Sequence, residues 1–261
     1  MALAAVVALV GGCDAPPVAW EAQRPASAEG NRAAIDSATA LRAIALPADS
    51  TGLRPCVASA VAAASGRGAE RYAVWWALRA DSSALLLAAY SPDAAQGWVR
   101  VYAVDTLDRS TRGCARPAPA LAADRVNGYA HVVYWLEAPE GPGVFYAHLM
   151  DPRARFEPAA VIVYGRTPVA ASVASAGDVV AVAYEDPNRD RPQVQLARSR
   201  TAGHLVEERA LDVSGGDVEA RDPRVTLGSG GRITVSWSER GGPDAPVVRV
   251  ERTGVLSGGR K

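Results

Sequence analysis

Three cysteines, three histidines and a recurring arginine–proline step are the residues of this 261-residue chain whose types and spacing could do chemistry. Cys13, Cys56 and Cys114 cannot all pair with one another. Cys13 closes a short apolar run, while "RPCVA" and "RGCARP" set Cys56 and Cys114 deep in the chain. The simplest partition makes those two a disulfide and gives Cys13 a separate chemistry; the alternative is two buried thiols. A disulfide implies an oxidising compartment. His131, His148 and His204 are dispersed, with no pair at zinc-ligand spacing, so neither a metal site nor a cofactor is expected. Asp186, Asn188 and Asp190 alternate as in a calcium loop. The segment lacks the glycine and the distal glutamate of such a loop, which predicts a polar β-turn.

The arginines recur in Arg54-Pro55, Arg116-Pro117, Arg166-Thr167-Pro168 and Arg221-Asp222-Pro223. Guanidinium groups suit a carboxylate or phosphate held by two parallel hydrogen bonds. Four of them facing one channel could form an anion site. However, Glu137, Glu185 or Asp186, and Glu239 recur as well, and the economical expectation is a series of arginine–carboxylate pairs tying strands together.

Four apolar segments position these residues: "RYAVWWALRAD", "HVVYWLEAP", "VVAVAYEDP" and "RITVSWSER". Taking Trp76, Trp135, Tyr184 and Trp237 as equivalent gives spacings of 59, 49 and 53 residues. Ahead of each lies a short apolar strand after the arginine–proline step. Beyond each lies a turn and a third strand, and in three units a fourth. Short strands with turn signals every 8 to 12 residues, repeated at about 50, predict propeller blades. The fold expected is all-β: a small β-propeller of about four blades of four antiparallel strands. The last unit stops after three strands, so an N-terminal strand, "ATALRAIALPADS", is expected to close its blade and remove the open edges.

Apolar residues make up 49% of the chain, and 28 basic residues balance 28 acidic ones. That balance leaves no basic footprint for nucleic acid.

Met1 to Gly12 is an apolar run of signal-peptide length, and "VGGC" (Val10 to Cys13) resembles the lipobox of bacterial lipoproteins. The resemblance implies cleavage before Cys13 and lipid attachment to it. The chain departs from that pattern in one respect, since its first basic residue is Arg24. The expected organisation is a signal peptide over 1–12, a lipid-anchored flexible tether over 13–37 and the propeller over 38–261. The blades themselves resemble the sialidase-like, Asp-box propellers. "SPDAAQGW", "MDPRARF" and "SRTAGHL" keep parts of the Asp-box turn after three of the third strands.

Sialidases use an arginine cluster, a tyrosine–glutamate nucleophile pair and an aspartate acid/base, and no such pair can be assigned by spacing. The expected protein is therefore not an enzyme. It is a monomeric, lipid-anchored binding or scaffold module outside the cytoplasm, in periplasm or at the cell surface, held to membrane by its anchor and meeting a protein or glycan ligand. The alternatives are a sialidase-like glycoside hydrolase and a purely structural surface lipoprotein.

Overall fold

In a computed structural model of the chain, the described residues are 17–27, 52–57, 61–64, 70–93, 95–207 and 209–257. Two short strands, β1 (Val18–Trp20) and β2 (Arg24–Pro25), come first. Blade 1 then holds β3 (Arg54–Pro55) and β4 (Val61–Ala64), which share the innermost position beside β5 (Arg71–Leu78), followed by β6 (Ala84–Ser91) and β7 (Arg100–Asp105). Blade 2 is β8 (Ala120–Ala123), β9 (Ala130–Ala138), β10 (Gly141–Leu149) and β11 (Ala160–Tyr164). Blade 3 is β12 (Ala171–Ala176), β13 (Val179–Glu185), β14 (Val194–Ser199) and β15 (Leu211–Asp212). Blade 4 is β16 (Glu219–Leu227), β17 (Arg232–Arg240) and β18 (Val248–Leu256), with β1 and β2 sharing its outermost position. The chain is a four-bladed β-propeller of antiparallel sheets.

The N-terminal part closes the last blade, but with other residues than expected. Val18 pairs with Leu256 and Arg24 with Glu251, inside the segment read as a flexible tether. Residues 38–49, expected in that role, lie outside the described residues, as does Cys13. A three-residue strand needs no apolar period: one inward side chain and main-chain hydrogen bonds suffice. Val18 supplies the first, being buried at 3% exposure. Trp20 packs on the same core, with the Arg252 guanidinium 5.4 Å above its ring.

In blades 1 and 2 the repeated aromatic meets the chain at the next arginine–proline step. Trp76 Nε1 donates to the carbonyl of Pro117 at 3.1 Å, and Trp135 Nε1 donates to that of Gly165 at 3.3 Å, beside Arg166. Each indole is buried at the seam with the next blade and satisfies its one polar atom on the chain entering that blade. The second strands of the blades are buried along nearly their whole length because both faces pack against neighbours.

The register defines two rims. Second strands begin at the lower rim, near Arg71 and Ala130, and finish at the upper rim, near Leu78 and Ala138.

Candidate active site

Cys56 and Cys114 are joined, with Cα atoms 5.5 Å apart, so the innermost strand of blade 1 is pinned to the connection entering blade 2. The four arginines gather at the upper rim: Arg54 is opposite Leu78, Arg221 opposite Ser238, Arg166 follows β11, and Arg116 bonds the carbonyl of Ser82 in the β5–β6 turn. Their chemistry differs. Arg116 is buried against Asp108 at 2.5 Å. Arg221 lies 2.5 Å from Glu219 and 3.8 Å from Glu185. Arg54 and Arg166 are exposed and make no ion pair among the described residues. Glu137 takes Arg112, not Arg116, and Glu239 accepts hydrogen bonds from Gln23 and the Trp237 indole. No shared anion pocket forms from the four.

The lower rim holds a constellation that sequence reasoning missed. The β5–β6 register puts Arg71 opposite Ser91, so Glu70, one residue before β5, meets Tyr90 near the end of β6. Tyr90 Oη donates to Glu70 Oε1 at 3.1 Å. Blade 2 contributes Asp151, just past β10. These three groups, with Arg100, Pro152 and Arg153, line a cleft of about 390 Å³ at the seam between blades 1 and 2. It adjoins a hollow bordered by Asn127, Gly128 and Met150.

The cleft is braced from below and from the side. Tyr72 packs against the Tyr90 ring at 5.3 Å and donates to the carbonyl of Gly128. Tyr102 and Arg100 both donate to the Pro152 carbonyl, fixing the turn that carries Asp151. Arg153 grips Asp151 through Nε and Nη2, both at 3.2 Å, and its backbone N–H donates to the same carboxylate. These donors, more than the charge of Arg153, hold the Asp151 carboxyl below its ordinary range. Partial burial and the neighbouring Glu70 push the Tyr90 hydroxyl up.

Tyr90 precedes one of the turns quoted above, "SPDAAQGW", and Asp151 is the aspartate of another, "MDPRARF". Recurrence of those turns after successive third strands was the signal that could have put both residues on one rim. Glu70 carried no signal. Asp186 does form a polar turn, accepting from the Asn188 N–H and from Arg189. The three dispersed histidines converge where blades 2 and 3 meet, yet no group of His, Cys, Asp and Glu among the described residues is arranged to hold a metal.

No protein-family model matches the sequence, and no curated protein matches it. Solved structures do resemble it. A protein of unknown function from Dyadobacter fermentans matches with a TM-score of 0.50 at 14% identity over 72% of this chain and 50% of that one. The intramolecular trans-sialidase of Ruminococcus gnavus gives 0.49 at 12% over 74% and 44%, and the α-L-arabinofuranosidase of Fusarium graminearum 0.47 at 10% over 71% and 57%. The chain thus spans about half the length of the solved proteins it matches.

The expectation of a non-enzymatic binding or scaffold module is corrected. It rested on the lack of a tyrosine–glutamate pair, and folding supplies one in a cleft. Glycoside-processing activities are named for several of the similar structures, and they are those proteins' own. At these identities likeness speaks to architecture alone, and by that measure the chain has a β-propeller fold.

Proposed function

We propose that this chain cleaves or transfers glycosides at the lower-rim cleft. The observation that carries the reading is the Tyr90–Glu70 hydrogen bond in the same cavity as Asp151. A phenol is a poor nucleophile until a base removes its proton, and a carboxylate in contact can do so. Tyr90 Oη attacks the anomeric carbon while Glu70 takes its proton. Asp151, in its acid form, gives a proton to the departing oxygen as the glycosidic bond breaks. Water then attacks the glycosyl–tyrosine bond, losing its proton to Asp151, and Glu70 returns the first proton to the phenolate. Arg100 and Arg153 at the mouth favour an anionic sugar.

Because Asp151 is held low and must be protonated to act as the acid, the rate should rise as pH falls towards its depressed pKa. The test is release from a panel of 4-methylumbelliferyl glycosides between pH 3 and pH 8. Glu70→Gln and Asp151→Asn should each lower the rate by about 10²-fold or more. No turnover of any glycoside, or variants as fast as the parent, would refute the reading.

We further propose that the chain works outside the cytoplasm as a lipid-anchored monomer, with Cys13 the lipidated residue. The Cys56–Cys114 bond supports the oxidising compartment, and "VGGC" supports the anchor. Labelled palmitate should enter the parent and not Cys13→Ser; equal labelling would refute the anchor.

A further inference from the structure

At the upper rim the same seam opens into a second, larger cleft of about 420 Å³, lined by the end of β7 and the outer strands of blade 2. Its wall differs in kind from that of the first. Phe145, Val161, Leu107 and Tyr164 give it an apolar side, and the last three are among the most exposed large apolar side chains of the described residues. Tyr164 meets Phe145 edge-on, with ring centroids 6.4 Å apart, which leaves the tyrosine standing at the mouth. The charged groups of the lining are both acids, Asp105 and Glu140. Among the described residues no basic side chain is part of that lining, the nearest guanidinium shown being that of Arg79, which donates to the Thr106 carbonyl at 3.2 Å.

Asp105, a residue only 9% exposed, is held by two uncharged donors: its two oxygens accept from the Leu107 N–H and the Tyr134 hydroxyl, each at 2.7 Å. Three buried acids elsewhere meet arginines, Asp108 with Arg116, Glu185 with Arg221 and Glu251 with Arg24, while Asp124 and Glu239 are held, like Asp105, by uncharged donors. Asp105 and Glu140 meet no cation among the described residues. Burial, with Asp108 nearby adding to it, pushes the Asp105 carboxyl up. An incoming positive charge would reverse that cost.

We infer that this cleft binds a small organic cation: an ammonium group, taken by Asp105 and Glu140, on a flat apolar body laid against Tyr164 and Phe145. Cavities of this volume enclose ligands of small-molecule size, and convergent polar groups on an apolar wall fix their orientation. The ammonium would also lie near the face of an exposed tyrosine, an arrangement that attracts cations. This inference is independent of the glycoside reading, since the two clefts share no residue.

The test is titration of the intact chain with 2-phenylethylammonium, followed by chemical-shift changes, with 2-phenylethanol as the neutral control of matched shape. The cation should perturb Tyr164, Phe145 and Asp105, and the alcohol should bind at least about tenfold more weakly. Asp105→Asn should lose that preference. Since this change touches the Tyr134 hydrogen bond, Glu140→Gln, on an exposed turn, serves as the second variant and should weaken the cation severalfold without weakening the alcohol. Equal binding of the two probes, no binding of either, or shifts confined to other parts of the molecule would overturn the inference. Umbelliferyl glycoside turnover should be unchanged in Glu140→Gln whichever result is obtained.

Discussion

Between blades 1 and 2 the packed faces carry charge: the buried Arg116–Asp108 pair, the Asp105–Tyr134 bond, and a cleft at either rim. Between blades 2 and 3 the seam carries histidines beside one buried carboxylate, Asp124, which accepts from the Gly177 N–H at 2.8 Å. His131 on β9 lies directly opposite His148 on β10, with ring centroids 6.2 Å apart, and its Nδ1 is 2.7 Å from the Tyr146 hydroxyl. His204, from the turn after β14, packs edge-on against His148 at 5.0 Å. The Nε2 atoms of His131 and His148 are buried without hydrogen-bond partners among the described residues. One seam spends its polar groups on open clefts, and the other hides them. A charged seam can be opened to a ligand because its ionised groups tolerate water.

Breaking the first seam should have the largest effect. The Cys56–Cys114 bond closes a separation of 58 residues, and its loss in Cys56→Ser should cost about 4 kcal/mol in the chain-entropy account, read from the urea midpoint. The second seam should break with acid. Burial, aided by His148 and His204, lowers His131 to about 4, and burial lowers His148 as well. The unfolded chain therefore binds more protons than the folded one between the ordinary histidine pKa and that lowered value. Stability is full above about pH 6.5 and lost progressively as pH falls to 4, by about 3 kcal/mol for His131 alone. His131→Gln should flatten the dependence of the urea midpoint on pH in that window. An unchanged profile would show that the imidazoles do not govern the seam.

A steric break of the same seam should be slightly weaker. Gly203 has φ +92°, and a Cβ there would fall 1.8 Å from the Tyr146 hydroxyl. Gly203→Ala should therefore cost about 2 kcal/mol, from strain and from displacing Tyr146 off His131. Smallest of all, Trp20→Ala at the partly exposed edge of blade 4 should cost about 1 kcal/mol and leave both seams intact.

The blades were legible in the sequence because burial on both faces writes each second strand as an apolar run ending in an aromatic. The disulfide was legible because two of three cysteines lay within the repeat. Side-chain partnerships were not, because they depend on register. Glu70 and Tyr90 are 20 residues apart and meet only because Arg71 pairs with Ser91. His131 and His148 meet through the same logic one blade on. Arg116 was expected to find an acid just beyond its blade's aromatic. It found Asp108, which precedes it by eight residues on the same connection between blades. Arg221 found Glu185 across a seam, in the neighbouring blade. The closing strand escaped notice because β1 is too short to show a period.

The central claim is that Tyr90 forms a bond to sugar, and covalent trapping tests it most directly. The chain is incubated with a panel of fluorine-substituted glycosyl fluorides, then digested and mapped by mass spectrometry. The account predicts one added glycosyl unit on the peptide containing Tyr90 and none in Tyr90→Phe. A chain that releases umbelliferone yet carries no adduct, or carries it on another residue, would contradict it.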